Sequence, residues 1–211
     1  MQQVKTIKSN LENYYEEHLK SYGPGAMGVG WKNEAAQQIR FDQLARIIDR
    51  TSRFTLNDLG CGVGDCYSYF TAAYAGNFQY FGYDMLESML TMANTRFGSS
   101  ENVDWIKIDN AEELLPADYT IASGIFNLKY TIDESDWNNY IIETLHHMNQ
   151  KSKRGFAFNM LTGYSDKEFM KEELFYADPL YFFDICKRAY SRNVALLHDY
   201  NEYDFTILVR K

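Results

Sequence analysis

The chain has 211 residues, 45% hydrophobic and 24% charged, which suits one globular domain with a continuous core and requires no second one. Its net charge is −8 and its best basic group is Lys151, Lys153 and Arg154, so it lacks the clustered cations that neutralise phosphates, and nucleic acid is not expected as a partner. Three cysteines, Cys61, Cys66 and Cys186, have no zinc-type spacing and fit a reducing compartment. The N-terminus lacks a signal-peptide apolar run and no stretch approaches a membrane span, so a cytoplasmic protein with no membrane or metal partner is expected.

In chain order, Thr6 to Lys20 predicts an amphipathic helix with Ile7, Leu11, Tyr14 and Leu19 on one face and Glu12, Glu16 and Glu17 on the other. A glycine-rich loop, Tyr22-Gly-Pro-Gly-Ala-Met-Gly-Val-Gly-Trp31, follows. A linker accounts for its glycines but not for the bulky Trp31, so the loop reads as a lid whose Tyr22 and Trp31 close over a ligand. Phe41, Leu44, Ala45 and Ile48 define a second helix expected to end near Arg50.

Phe54 to Leu59 reads as a strand, Gly60, Gly62 and Gly64 as a tight turn, and Asp65, Cys66, Tyr69, Phe70 and Ala73 as a helix stopped by Gly76. The dinucleotide fingerprint G-x-G-x-x-G/A fails at its third glycine position, where Asp65 would repel a diphosphate. The actual pattern, Asp58-x-Gly60-x-Gly62-x-Gly64, resembles motif I of the class I S-adenosylmethionine (SAM)-dependent methyltransferases, whose cationic cofactor tolerates acidic neighbours.

Gln79 to Asp84 predicts the second strand, and Asp84 lies about twenty residues beyond the turn, where nucleotide folds place a ribose-binding carboxylate. Met85 follows as a packing surface for adenine, and Glu87 to Phe97 as a helix stopped by Gly98. Val103 to Ile108 is the third strand, closed by Asp109-Asn110; the resemblance implies that a carboxylate here, matched by Asp109, accepts the adenine amino group. Ala117 to Ser123 is the fourth strand, followed by Gly124-Ile-Phe-Asn127 at the family's motif IV. This is not the Asn/Asp-Pro-Pro-Tyr/Phe of the nucleic-acid amino-methylases, so Asn127 is a candidate acceptor-orienting residue.

Thr131, with Glu134 three residues on, predicts a capping box for the helix traced by Trp137, Tyr140, Ile141, Leu145 and Met148. Phe156 to Leu161 is the fifth strand, and the aromatic connection from Thr162 to Ser191, interrupted by Asp178-Pro179, is expected to build the substrate pocket. Val194 to Tyr200 and Phe205 to Val209 form a C-terminal hairpin. A parallel sixth strand would deliver His198 and Asp199 to the carboxyl edge of the sheet, so His198, oriented by Asp199, is the candidate general base, with His18 a weaker one.

The expected fold is α/β and Rossmann-like, the class I methyltransferase fold: a seven-stranded, mostly parallel sheet with an antiparallel C-terminal hairpin strand and helices on both faces. One methyltransferase domain spans 1–211: N-terminal helices and lid 1–50, SAM-binding core 54–161, substrate-pocket insertion 162–192 and hairpin 194–211. The implied cofactor is SAM, with S-adenosylhomocysteine (SAH) as product, held by Asp58, Gly60, Cys61, Gly62, Gly64, Asp84, Met85, Asp109, Asn110, Ser123 and Trp31. Both flanks look like those of small bacterial methyltransferases associated with surface-polysaccharide modification. That likeness implies a small-molecule acceptor, a hydroxyl of a sugar- or phosphoryl-linked intermediate. The alternatives are an N-methyltransferase of a small amine and an NAD(P)-dependent reductase.

Overall fold

In the computed structural model, which describes residues 14–23, 25–98 and 100–211, seven strands form one sheet in the order β3-β2-β1-β4-β5-β7-β6. Helix α1 occupies residues 14–22; Ile7, Leu11 and Glu12, expected on the same helix, lie outside the described residues. The remaining elements are α2 (Glu34–Ala45), β1 (Phe54–Leu59), α3 (Asp65–Tyr74), β2 (Phe78–Asp84), α4 (Glu87–Phe97), β3 (Val103–Lys107), β4 (Ala117–Ala122), α5 (Glu134–Lys151), β5 (Ser152–Leu161), α6 (Pro179–Ala189), β6 (Asn193–Leu197) and β7 (Asp204–Arg210). β1 to β5 pair in parallel, and β7 runs antiparallel between β5 and β6. The mostly parallel, doubly wound sheet with its antiparallel C-terminal strand is the class I methyltransferase architecture.

Strand alternation divides the core into two layers. Leu56, Tyr80, Tyr119, Ile121, Ala157 and Leu208 face α2 and α3, meeting Phe41, Leu44 and Phe70. Leu59, Tyr83, Phe156, Phe158, Ile207 and Val209 face the opposite way onto α5 and α6, meeting Trp137, Ile141, Leu145 and Phe182. Because β1 is flanked by β2 on one side and β4 on the other, the chain winds outward in both directions from the β1/β4 boundary. The loops leaving β1 and β4 therefore diverge and leave a crevice at their carboxyl ends.

β5 begins four residues before the expected Phe156 and β6 ends three before the expected Tyr200, and three helix ends also differ from the sequence reading. α5 is capped by Asp133, whose carboxylate accepts the Ser135 N–H at 2.9 Å, rather than by Thr131, which lies within a turn closed by the Ile132 N–H on the Lys129 carbonyl at 3.1 Å. Asp178-Pro179 starts α6 instead of interrupting a connection: Asp178 accepts from Leu180 N–H at 2.9 Å, and proline suits the first helical position, where no N–H is needed. α2 stops at Ala45, short of Arg50, as Arg46, Ile47 and Ile48 tighten into i→i+3 hydrogen bonds of 3.1–3.3 Å.

Candidate active site

The crevice is a cavity of about 1180 Å³, counting its solvent-open mouth. Its floor is the turn after β1. The Gly60 and Cys61 N–H groups both donate to the Tyr83 carbonyl (2.8 and 2.9 Å), and the Gly62 N–H donates to Asp84 Oδ2 (2.9 Å), so three bonds fasten the turn to the end of β2. Gly60 has φ 77°, and a Cβ there would lie 2.2 Å from Ile125 Cγ2, so only glycine lets the turn pass beneath the loop after β4. Gly64 does not line the cavity; a Cβ there would stand 2.8 Å from Phe97 and Trp105, and its bareness serves the packing of α3.

Asp58, at the end of β1, is 1% exposed and contributes to the cavity wall. Its Oδ2 accepts the Tyr80 hydroxyl, while its Oδ1, equally buried, has no partner. Burial pushes this carboxyl up to about 7; hydrogen bonds from Tyr80 and Cys66 oppose the shift and the charge of Asp84 adds to it. An orphaned buried carboxylate oxygen carries a desolvation cost that a cationic ligand would relieve. Asp84 is also buried, and burial raises its pKa, but Oδ1 and Oδ2 accept backbone N–H groups of Leu86 and Gly62, both at 2.9 Å. The thiols of Cys61 and Cys66 are pushed well up by burial and act as apolar filling.

Met85 and Ile108 supply apolar walls, and Asp109 and Asn110 lie beside them. The Asp109 and Asn110 N–H groups donate to Glu113 Oε1 (2.9 and 3.1 Å), while Asn110 Oδ1 accepts from Glu112 N–H (2.9 Å), which fixes the loop after β3. Ser123 and Gly124 close the far side. Asn159 on β5, fully buried, holds both: its Oδ1 accepts the Gly124 N–H at 2.7 Å and its Nδ2 donates to Ser123 Oγ at 3.3 Å. Asn159 was missed from the sequence, although a lone amide within Phe-Ala-Phe-Asn-Met-Leu is a detectable signal. Trp31 and Val29 from the glycine-rich loop and Tyr15 from α1 complete the lining. Tyr15 packs with Leu19, four residues on, so it shares the covering face with Leu19 more directly than Tyr14 does.

The structure thus brings Asp58, Gly60, Cys61, Gly62, Asp84, Met85, Asp109, Asn110, Ser123 and Trp31 to one cavity, and leaves Gly64, Asn127, His198, Asp199 and Tyr22 out of its lining. Asn127 is committed to the protein: its Oδ1 accepts Leu161 N–H at 3.0 Å and its carbonyl accepts Phe175 N–H at 2.8 Å, so it ties the connection after β5 to the loop after β4. His198 and Asp199 are exposed beyond β6, because β7 inserts between β5 and β6 and pushes β6 to the edge of the sheet. The His198 ring instead packs 6.2 Å from Phe205 and 6.0 Å from Tyr164. Tyr22 is 57% exposed and tilts 5.6 Å from His18, which itself stacks 4.1 Å from Tyr14 away from the lining.

The ionisable carboxylates in the lining are Asp58, Asp65, Asp84 and Asp109, and no Lys, Arg or His joins them among the described residues. Asp65 is neutralised from behind by Arg96 at 2.7 Å and accepts from Gln37 Nε2 at 3.2 Å, so its repulsion of a diphosphate is weaker than its position in the sequence suggests. Asp58 has no cationic neighbour among the described residues, so nothing there offsets its charge once it ionises above about 7.

The site lies at the switch point of a class I methyltransferase sheet, and comparison with known proteins gives the same class. A family described as "Methyltransferase domain" matches residues 57–154. A Mycobacterium tuberculosis (strain ATCC 25618 / H37Rv) protein named "Putative methyltransferase Rv1506c" is 46% identical over 169 residues, 79% of this chain and 98% of its own. The chain belongs to the methyltransferase family. Its fold is also that of the Synechocystis PCC 6803 magnesium protoporphyrin IX methyltransferase with bound SAH (14% identity, TM-score 0.65, 97% of this chain and 100% of that one). The SAH complex of the N-methyltransferase NodS from Bradyrhizobium japonicum WM9 shares it as well (12% identity, TM-score 0.63, 94% and 98%).

Proposed function

We propose that this chain transfers the methyl group of SAM to a small-molecule acceptor, and that the acceptor nucleophile is an amine. The observation that carries the cofactor reading is Asp58, a buried carboxyl with one orphaned oxygen, in the wall of a cavity whose lining charges are carboxylates. This matches an ammonium and a sulfonium and opposes the pyrophosphate of NAD(P). The residues present fit SAM: Asp58 for the ammonium, the turn Gly60–Gly62 for the amino-acid part, Asp84 for the ribose hydroxyls, and Met85, Ile108, Asp109 and Asn110 for the adenine. When bound, SAM supplies a methyl group already activated by its sulfonium.

The remaining work belongs to the chain: aligning the acceptor with the methyl and excluding water. Trp31, Val29 and Tyr15 cover the cavity, and Ser123 and Gly124, held by Asn159, form the wall at the end of β4. A hydroxyl acceptor, as the polysaccharide-type flanks suggest, needs a base. Tyr15 lines the cavity but burial raises its phenol pKa, which makes it a poor base. A phosphoryl-linked acceptor finds no cation in the lining among the described residues. An amine that enters in its neutral form, its proton already given up to solvent, needs positioning alone, and it leaves as the methylated ammonium carrying the positive charge that the sulfonium loses.

Calorimetric titration with SAH and with NADH tests the cofactor: binding of SAH alone is expected, and binding of NADH alone would overturn the reading. A SAM-dependent methylation screen of small amines against nucleotide-linked sugars then tests the acceptor, and turnover confined to the sugars would return the hydroxyl to first place.

A further inference from the structure

A buried arginine lies just behind the cavity. Arg40 on α2 is 6% exposed, and its Nε and Nη2 both donate to Asp204 Oδ2 at the start of β7, where Asp204 is fully buried. Its Nη2 also reaches Glu202 at 3.2 Å, and its Nη1 donates to the Ala36 carbonyl at 2.6 Å. Four of the five N–H groups along the guanidinium edge are thereby engaged, by α2 and by the C-terminal hairpin, which leaves its flat face to stack. That face lies 4.5 Å from the centre of the Trp31 ring.

Buried ion pairs add little net stability, because desolvation offsets the attraction; a close-packed apolar pair would serve the core as well or better. Here burial raises the pKa of Asp204 in spite of the adjacent guanidinium, and Asp204 Oδ1 has no partner at all. The arrangement is poorly optimised for holding β7 to α2, but well suited to presenting a planar cation at a fixed angle, which lysine cannot do.

What it presents to is the wall of the cavity. The far edge of the Trp31 indole abuts Gly124: a Cβ at Gly124 would sit 2.7 Å from Trp31 Cη2 and Cζ2. Gly124 is in turn immobilised by its N–H bond to Asn159 Oδ1 at 2.7 Å. The loop fixes the Trp31 backbone, whose N–H donates to the Ala26 carbonyl at 2.8 Å after left-handed Gly30 (φ 85°), while Arg40 and Gly124 are what the indole itself meets.

We propose that Arg40 is a positioning residue for methyl transfer: clamped by Asp204, its guanidinium holds the Trp31 indole against Gly124 and so fixes the cavity wall at the end of β4, between cofactor and acceptor. The proposal rests on the SAM reading of the cavity. It gives the C-terminal hairpin a part in the site through Asp204 rather than through His198.

The test compares Arg40→Lys, which keeps a charge for Asp204 but loses the flat face, Trp31→Ala, the double variant of the two, and Arg40→Met/Asp204→Asn, which removes both charges together. Thermal melting identifies the variants that fold. Acrylamide quenching of indole fluorescence, with Trp31→Phe as the reference, then reports the shielding of Trp31, which a role for Arg40 confined to its ion pair with Asp204 would leave alone. Arg40→Lys is expected to raise Trp31 quenching, to weaken SAH binding about tenfold, and to add nothing to Trp31→Ala in the double variant. If Arg40→Lys destabilises the fold, Arg40→Met/Asp204→Asn carries the same expectations. Unchanged quenching in a folded variant, or losses of SAH affinity that multiply in the double variant, would overturn the proposal. If the wild-type protein binds no SAH, the cofactor reading fails by itself, and the quenching comparison still decides whether Arg40 holds Trp31.

Discussion

Replacing Asp58 by asparagine should make the free protein more stable and the cofactor complex weaker, and both effects follow from one buried oxygen. The carboxyl moves from its usual 3.8 to about 7, chiefly through burial. Between those two pH values the folded chain holds a proton that the unfolded chain has released, so stability falls as pH rises across that window. At about 1.4 kcal/mol per unit, the loss totals about 4 kcal/mol above pH 7. Asparagine has no charge to bury and can still accept the Tyr80 hydroxyl, so at pH 8 Asp58→Asn should melt higher than wild type, by part of that amount.

Cofactor binding should run the other way. A cationic ammonium beside Asp58 favours the carboxylate, so SAH binding below pH 7 expels a proton, and affinity rises with pH until it levels off above about 7. Removing a charge-assisted hydrogen bond costs roughly 1.5–3 kcal/mol, or about 10- to 100-fold in affinity, so Asp58→Asn should bind SAH that much more weakly at pH 8 and with little dependence on pH. Calorimetry in two buffers of different ionisation enthalpy reads affinity and proton release together. A flat wild-type affinity from about pH 5.5 to 8.5 with no proton released, or an Asp58→Asn variant that binds like wild type, would refute the reasoning.

Gly60→Ala should abolish SAH binding and lower the melting temperature, since φ 77° is strained for alanine and its Cβ would be driven to 2.2 Å from Ile125; loss of at least about 2 kcal/mol by chemical denaturation checks it. Asp84→Ala removes the acceptor for Gly62 N–H at 2.9 Å and should weaken SAH more than tenfold by titration, through the loosened turn as well as the lost ribose contact. His198→Ala should keep kcat within about twofold of wild type, because the ring is exposed beyond β6, and a large loss of kcat with normal folding would restore it as a base. Asn159→Leu leaves the buried Gly124 N–H without its 2.7 Å acceptor and should cost about 1–3 kcal/mol by denaturation together with a measurable drop in SAH affinity.

The parts of the fold legible in the sequence are those specified locally. The turn after β1 needs glycine at a fixed residue, and α4 runs from Glu87 to Phe97 as its periodicity and the glycine at its C-terminus require. Asp58, Asp84 and Asp109 could be placed at strand ends because each closes its own apolar run. Capping was harder: Thr131 and Asp133 both offer an oxygen to a helix start, and the turn from Lys129 to Ile132, invisible in the sequence, takes up the first. Asn127 looked available for an acceptor because its partners, Leu161 and Phe175, are distant in the chain. His198 failed through topology: a parallel β6 was anticipated correctly, but its carboxyl end is useful only if β6 neighbours the crevice, and β7 stands between β5 and β6. Tyr15 and Arg40 are reached only through tertiary packing, and periodicity alone does not separate them from their neighbours.

Placement of charge explains how an acidic chain of net charge −8 keeps a usable cavity. A carboxylate is met by a guanidinium at three places: Arg40 at Asp204, Arg96 at Asp65 in the cavity lining, and Arg154 at Asp49. Where it faces the crevice at the end of β1, Asp58 has a phenol and a thiol for company and no cation, and its second oxygen is left bare. A cation placed inside the cavity would have stabilised the free protein and cancelled the field that a sulfonium and an ammonium need. Set behind the wall, the same guanidinium groups steady the turn and the indole while leaving that field in place. The instability stored at Asp58 is then released only by a ligand carrying its own positive charge, which makes cofactor selectivity a consequence of what the site omits as much as of what it contains.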